Sequence, residues 1–296
     1  MFTPEMPRER RSSAGAILVT GASSGIGRAT AAELSRAGFD VFAGVRDTAD
    51  APRPLVPEGR VAPVELDVTD EGSVRTALAT IGDSVRGRGL VGLVNNAGAT
   101  LAAPLEYVSI DDVRRQFEVN VIGLLAVTQA ALPLLRTGNG RIVMVGSLSG
   151  QLALPYYGPY AATKFALEAL ADTLRQELRP WGIAVSIVEP GAVATGIWGK
   201  ALETAERSLD NESPHARARY GPGLVGVRRN AALLARSAAR PEVVARAILR
   251  ATTDRRPKAR YRVAYSAPTR ALRLLSVLPT GMRDLIVALS LPEHRA

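Results

Sequence analysis

Two side chains that can move a proton stand close together in the second half of the chain. Tyr160 and Lys164 are four residues apart, and Ser147 lies upstream at the end of an apolar run. If residues 159–180 form a helix, this spacing places the phenol and the ammonium on one face. A cation beside a phenol favours the phenolate, so the pattern predicts that Lys164 lowers the pKa of Tyr160 towards neutral pH, as a general acid or base requires. Taken alone, the pair also fits an ordinary helix surface.

A glycine-rich motif follows the first apolar run. Residues 16–19 are typical of a short buried strand, and Gly21, Gly25 and Gly27 come directly after it. Glycines here let the backbone turn sharply and approach a phosphate, while amides at the start of a helix over residues 27–37 would point at the anion. The spacing matches neither the G-x-G-x-x-G fingerprint nor a P-loop, which argues against a nucleoside triphosphate.

Several motifs now agree in order and spacing with one family. The chain resembles the classical short-chain dehydrogenases/reductases over roughly residues 14–200. The matching positions are residues 20–27, 95–98, Asn120, Ser147, 160–164 and 190–195. Within the family, residues 158–170 resemble the branch that contains hydroxysteroid and retinol dehydrogenases. The resemblance implies a nicotinamide cofactor and hydride transfer between an alcohol and a carbonyl compound.

The hydrophobic pattern predicts an α/β protein. Apolar strands alternate with helical stretches at residues 17–20, 41–45, 61–66, 90–95, 141–146, 183–188 and 260–264. Such alternation favours a doubly wound Rossmann fold, with a mostly parallel seven-stranded sheet covered by helices on both faces in a single domain. Ligands of such sheets lie beyond the carboxyl ends of the strands, so one cleft could hold all the motifs. We expect a flexible extension over residues 1–14, the catalytic domain over 15–266 with a substrate lid at 196–240, and an amphipathic tail over 267–296.

Composition excludes several other functions. The net charge of +9 could suit nucleic acid, but the basic residues are scattered and aromatic residues make up only 5%, so we predict no nucleic-acid partner. The chain has no cysteine, and His215 and His294 are its histidines. A zinc dehydrogenase, another metal site or a Ser-His-Asp triad is therefore not expected. Residues 1–15 are polar and the apolar run after them is short, so we expect a cytoplasmic protein.

The residue after the second strand bears on cofactor choice. By resemblance, Val45 stands where NAD-preferring relatives usually carry an acidic residue, and Arg46 follows it. A guanidinium can pair with the extra phosphate of NADP, so we predict NADP, with NAD as the alternative because a solvated Arg46 is also consistent. The resemblance implies cofactor contacts at Gly21, Ser23, Ser24, Gly25, Ile26, Arg46, Asp67, Val68, Asn95, Ala97, Gly98, Tyr160, Lys164, Pro190, Gly191, Val193 and Thr195.

The resemblance also assigns catalytic roles. Ser147 would bind the substrate oxygen, Tyr160 would transfer a proton to it, and Lys164 would hold the nicotinamide ribose. An Asn inside an apolar helix is costly unless its amide is used, and Asn120 would hold a water in a proton relay; a purely structural Asn120 is the alternative. Ser149 is the rival serine, but its distance from Tyr160 along the chain misses the family pattern.

The predicted substrate is apolar. Between Ser147 and Tyr160 the chain carries Leu154 and Tyr157, and Trp198 follows the nicotinamide segment. Together with Ser147 these three are the predicted substrate contacts, although core packing would explain about half of the apolar residues here. We expect a steroid-, retinoid- or lipid-like alcohol, ketone or aldehyde.

Other functions and partners stay open at this point. A redox sensor or scaffold protein could keep the NADP fold without turnover, and isomerase or dehydratase chemistry could use the same scaffold. A homodimer or homotetramer through the helices around Asn120 and Phe165 is expected by resemblance. The tail carries arginines among apolar residues, which suits packing against the lid or a subunit, or peripheral contact with an anionic membrane.

Overall fold

The computed structural model describes residues 14–51, 60–195, 203–206, 209, 214–264 and 266–290. Within these ranges the chain forms one parallel sheet with the strand order β3-β2-β1-β4-β5-β6-β7. The strands are β1 (Ala16–Thr20), β2 (Asp40–Val45), β3 (Arg60–Glu65), β4 (Gly92–Asn95), β5 (Arg141–Val145), β6 (Ala184–Pro190) and β7 (Arg260–Val263). The predicted doubly wound fold and all seven strands are confirmed, with bounds that differ by one or two residues.

Helices connect the strands and cover the sheet. They are α1 (Gly25–Arg36), α2 (Glu71–Val85), α3 (Ile110–Phe117), α4 (Gly123–Thr137), α5 (Gly158–Glu177), α6 (Pro214–Arg236), α7 (Pro241–Thr253), α8 (Ala267–Leu275) and α9 (Thr280–Ser290). Between α3 and α4 the backbone forms a π-helical turn, Glu118–Ile122. The helix predicted over residues 159–180 is α5, and α1 begins two residues before its predicted start.

Two hydrophobic cores form because alternate strand residues face opposite sides of the sheet. On one side, Leu18 of β1 packs in a cluster with buried residues of α2, α4 and α5. On the other side, Ile17 and Val19 pack with α1 and α7. The central strands are therefore buried on both faces, and their carboxyl ends are where a ligand can bind.

Hydrogen bonds tie the turn after β1 to the loop after β4. Thr20 Oγ1 accepts hydrogen bonds from the backbone N–H groups of Asn96, at 3.0 Å, and Ala97, at 2.9 Å. In return, Asn96 Nδ2 donates to the carbonyl oxygens of Thr20 and Gly21. Gly21 has a φ of 62°, and a Cβ at Gly27 would lie 2.2 Å from Gly21 O. The glycines are thus required by the tight turn itself.

Among the described residues, one helical run, Ile110–Thr137, is long and apolar enough by length and composition alone to cross a membrane. In the fold this run spans α3, the π turn and α4. Its residues Leu124, Val127 and Leu135 are buried in the first core. The apolar residues of this run therefore serve to bury it in the core of the α/β fold.

The predicted substrate lid, residues 196–240, and the predicted tail, residues 267–296, lie partly within the described residues. Helix α6 contributes Leu224 and Val227 to a third cluster, which also contains Tyr156 from the loop after β5. Within the described residues, the tail forms α8 and α9. The predicted boundaries of the extension, the lid and the tail stay predictions.

Candidate active site

Residues from four strand ends meet at one edge of the sheet. Gly21 follows β1, Asn95 ends β4, Ser147 follows β5 and Pro190 ends β6. These strands are neighbours and run parallel, so their carboxyl ends lie side by side. Helix α5 crosses beside this edge, where it packs against the turn after β5 and against β6.

The start of α5 places Tyr160 and Lys164 inside the protein. Both side chains are buried, with relative exposures of 8% and 7%. The Lys164 Nζ atom donates a hydrogen bond to Val145 O at 2.9 Å, at the end of β5. It also lies 5.7 Å from the centroid of the Tyr160 ring. The predicted face-sharing is therefore confirmed, and this pair is a buried cation beside a phenol rather than a surface pair.

The pKa of Tyr160 shifts in the direction opposite to the one predicted from the sequence. Burial raises this pKa above its ordinary value, and the hydroxyl groups of Ser147 and Thr100 oppose the rise. The predicted net lowering is absent, because loss of water around the phenol outweighs the influences that oppose it. At neutral pH Tyr160 is consequently protonated and available as an acid.

Lys164 responds to burial in the opposite sense. Burial lowers its pKa from 10.5 to about 8, and the nearby Glu168 carboxylate opposes this change. The group is thus charged at neutral pH but close to its titration point. A proton can leave or return to such a lysine at little cost, which suits a proton relay.

Asn120 lies in the π-helical turn Glu118–Ile122 rather than in a regular helix. Its Oδ1 accepts from Ala99 N at 2.8 Å, and its Nδ2 donates to Ala99 O at 2.9 Å and to Thr163 Oγ1 at 3.0 Å. The amide is therefore fully used, which removes the cost of burying it. Thr163 in turn donates to Tyr160 O, so Asn120 is joined directly to the catalytic segment of α5.

Ser147 occupies the cap of a short 3-10 turn, Leu148–Gly150. Its Oγ accepts a hydrogen bond from Ser149 N at 3.1 Å, and its hydroxyl lies near the Tyr160 phenol. The rival Ser149 serves this turn through its backbone. Thr100, which also faces Tyr160, was not predicted, because a lone hydroxyl residue in the loop after β4 carries no sequence signal.

The turn after β1 offers a site for an anion. Within this described segment, Ser24 caps α1 without a side-chain hydrogen bond, and the first helical turn carries no acidic residue. Gly25, with a φ of 52°, lies close to the Thr195 side chain. Uncapped amides at a helix start, with no negative charge beside them, fit the diphosphate of a dinucleotide.

The remaining predicted cofactor residues occupy the same edge. Ser23, Ser24 and Ile26 belong to the turn and the start of α1, and exposed Arg46 directly follows β2. Asp67 follows β3 and accepts from Thr69 N and Thr69 Oγ1. The others lie in the loops after β3, β4 and β6: Val68, Ala97, Gly98, Gly191, Val193 and Thr195.

The predicted substrate contacts divide into two groups. Leu154 and Tyr157 are half-buried in the segment that joins β5 to α5. Trp198 lies outside the described residues.

An aromatic cluster missed by sequence reasoning joins the loops after β4 and β5 to α6. Tyr156 Oη donates to Tyr220 O of α6 at 2.8 Å, and the rings of Tyr107 and Tyr220 meet edge to face. Tyr220 Oη also donates to Glu106 at 2.7 Å. The residues of this cluster are distant in sequence, so local spacing could not predict that they contact one another.

Comparison with known proteins decides the family. The family model described as short chain dehydrogenase matches residues 15–206. The chain belongs to the short-chain dehydrogenase family.

Individual relatives agree with this assignment. The chain is 42% identical to 3-amino-tetrahydro-pyrrolizinone reductase of Xenorhabdus hominickii, over 69% of this chain and 70% of the relative. It is 35% identical to human retinol dehydrogenase 5, over 94% and 89%. A short chain dehydrogenase from Burkholderia cenocepacia, solved in complex with NADP, superimposes with a TM-score of 0.68 at 25% identity, over 95% of this chain and 99% of that one. This short-chain dehydrogenase is thus an NAD(P)-dependent oxidoreductase of the hydroxysteroid and retinol type, acting on CH–OH groups.

Burial of Lys164 makes a prediction about stability. Its pKa of about 8 in the folded protein, against 10.5 for the ordinary group, means that folding disfavours the ammonium by about 3 kcal/mol at pH 7. That cost disappears as the pH rises from about 8 to 10.5. The wild-type free energy of unfolding should therefore rise between about pH 8 and 10.5, and a Lys164→Met variant, compared by denaturant unfolding at pH 7 and pH 10.5, should lack this rise.

The matched control is Lys258→Met, because Lys258 is exposed. Its stability should stay within about 0.5 kcal/mol of the wild type at both pH values. A Lys164→Met variant whose stability still rises from pH 7 to pH 10.5 as in the wild type would show that Lys164 is not the group responsible.

Proposed function

We propose that this dehydrogenase interconverts a hydrophobic alcohol and its ketone or aldehyde with NADP(H), using Ser147, Tyr160, Lys164 and Asn120. The observation that carries the proposal is the buried Tyr160–Lys164 pair at the edge where four strand ends meet. A buried ammonium is costly, and nothing about packing requires one beside a buried phenol. Its retention there supports a chemical role.

Proton transfer would centre on the Tyr160 phenol. In carbonyl reduction, Ser147 donates a hydrogen bond to the substrate oxygen and Tyr160 gives it a proton. The Lys164 ammonium stabilises the phenolate that remains, since a cation nearby favours the charged form. NADPH supplies the hydride when it is bound.

After it has given its proton to the substrate, Tyr160 would be reprotonated by groups along α5. Lys164 titrates near neutral pH, so it can pass a proton towards solvent. A π turn leaves backbone groups outside the regular i→i+4 pattern, and the one that holds Asn120 is joined to Tyr160 through Thr163. Backbone groups of this turn could therefore hold the water of the proton relay.

The turn after β1 would hold the diphosphate, and Lys164 would bind the nicotinamide ribose. NADP is favoured over NAD because Arg46 follows β2 while the preceding residue, Val45, is buried and uncharged. A guanidinium at that place can pair with a 2′-phosphate. The NADP complex of the Burkholderia cenocepacia relative is consistent with this choice.

An apolar substrate is favoured by what surrounds Tyr160. Half-buried Leu154 and Tyr157 precede it, and the cluster of Tyr107, Tyr156 and Tyr220 joins the loops to α6. Apolar side chains in this segment would suit a hydrocarbon substrate. One relative is named for retinol, an apolar alcohol, which is consistent with this choice.

Expectations about location and partners stay predictions. They are a cytoplasmic location, no nucleic-acid partner and a homodimer or homotetramer. Exposed Ile122 and Phe165, on the π turn and α5, offer an apolar face for self-association. In the tail, Leu285 and Leu289 are 61% and 79% exposed, which supports peripheral membrane contact or a partner subunit.

Arg46 provides a test of cofactor choice. An Arg46→Asp variant should raise the KM for NADPH about tenfold or more, because a carboxylate repels the 2′-phosphate and can accept from the ribose hydroxyls instead. The KM for NADH should stay the same or fall. Arg86→Asp is the control, since Arg86 lies beside the first residues of β1 and β2 at the other edge of the sheet. Equal effects of Arg46→Asp on both cofactors would remove the assignment.

Turnover tests the proposed reaction. NADPH consumption should be measured by absorbance with steroid, retinoid and long-chain ketones and aldehydes, and with small sugars for comparison. We expect apolar carbonyl compounds to be reduced and Tyr160→Phe to lower kcat at least a hundredfold, because the acid is lost. Tight NADPH binding without turnover on any compound would favour the sensor or scaffold alternative. Preference for sugars would contradict the apolar substrate.

A further inference from the structure

Behind Lys164, away from Tyr160, lies a group of buried charges that the proposed reaction does not use. Glu168 is one helical turn after Lys164 on α5, and its side chain is 13% exposed. Glu189 of β6 is fully buried. Arg260 of β7 binds both carboxylates and also Asp172, at the outer end of the group. Burying this many charges is costly, so their arrangement calls for a reason.

The geometry holds the Glu168 side chain in one place. Arg260 Nε donates to Glu168 Oε2 at 3.1 Å. On the other side a Cβ at Gly150 would lie 3.1 Å from Glu168 Cγ, so the Glu168 side chain passes closely over this glycine. The second oxygen, Oε1, is buried without a hydrogen-bond partner among the described residues. A buried carboxylate with one unpaired oxygen, one helical turn from Lys164 on the same face of α5, is placed to act on the ammonium through its charge.

Every element packed around Glu168 supplies its charged or polar neighbours. On α5 they are Lys164 and Asp172, on β6 Glu189 and on β7 Arg260. In the turn after β5, Gln151 donates to Glu189. Arg262 also binds Glu189 rather than Glu168.

We propose that Glu168 is a positioning residue that acts through Lys164: held in place by Arg260, its carboxylate is the counter-charge that keeps the buried ammonium protonated. The role in catalysis rests on the proposed function, because it matters only if Lys164 serves Tyr160. The effect on Lys164 itself does not, and it can be measured without substrate.

The pH range of the effect follows from the two groups. Burial and the neighbouring Glu189 raise the pKa of Glu168 to about 7, while that of Lys164 is about 8. Above pH 7 Glu168 becomes charged and supports the ammonium. Below pH 7 it becomes neutral, but Lys164 is then protonated in any case. Removal of Glu168 should therefore reduce the protonated fraction of Lys164 above pH 7 and have no effect below it.

Lysine NMR tests this directly. Lys164, Lys200 and Lys258 are the lysines of the chain, so ¹³C-lysine labelling gives a simple spectrum, and Lys164→Met identifies the signal. In Glu168→Gln the pKa of Lys164 should fall by about one pH unit, a tenfold change in the ratio of ammonium to amine. The alkaline limb of the kcat/KM profile should move down by the same amount.

Two further variants separate charge from packing. Asp172→Asn also removes a partner of Arg260, but two turns from Lys164 and at a half-exposed position, and it should leave the Lys164 titration unchanged. Glu168→Asp keeps the charge and should restore most of the wild-type titration, which also gives a readout if the Gln variant folds poorly.

An unchanged Lys164 titration in Glu168→Gln, or equal changes in Glu168→Gln and Asp172→Asn, would overturn the inference. So would a Glu168→Asp variant that titrates like the Gln variant. Absence of turnover in the wild type, with the Lys164 titration moved as expected, would instead contradict the proposed function and leave the effect of Glu168 standing.

Discussion

The buried ammonium of Lys164 is the constraint on which the active site depends. It must lose its water, and the protein replaces that water with the carbonyl oxygen of Val145 and the negative charge of Glu168. The carbonyl oxygen can do this only if α5 is fixed against β5. The same contact places Tyr160 at the strand ends. The position of the acid thus follows from how the protein accommodates one buried charge.

The rest of the fold makes that placement rigid. Parallel strands buried on both faces leave their carboxyl ends as the natural place for a ligand. Thr20 and Asn96 then bind the loops after β1 and β4 to each other. Asn120 links the loop after β4, at Ala99, to α5 through Thr163. Hydrogen bonds rather than apolar contacts set the distances between the motifs, which is the precision that proton transfer needs.

Sequence reasoning located the strands, the motifs and the Tyr160–Lys164 face, because each depends on local periodicity or spacing. It predicted the wrong direction for the pKa of Tyr160, since that value depends on burial by residues far away in sequence. It also missed the π turn around Asn120, because no residue type marks one, and the cluster of Tyr107, Tyr156 and Tyr220. Likewise, the charges behind Lys164 come from three elements that only the fold brings together.

The most direct test of this account is a crystal structure of the protein with NADP⁺ and a hydrophobic alcohol bound. We expect the alcohol oxygen within about 3 Å of both Tyr160 Oη and Ser147 Oγ. Lys164 Nζ should contact the nicotinamide ribose, and the 2′-phosphate should lie against Arg46. An alcohol oxygen bound away from Tyr160, or a ribose that does not meet Lys164, would contradict the central claim that this buried pair performs the proton transfer.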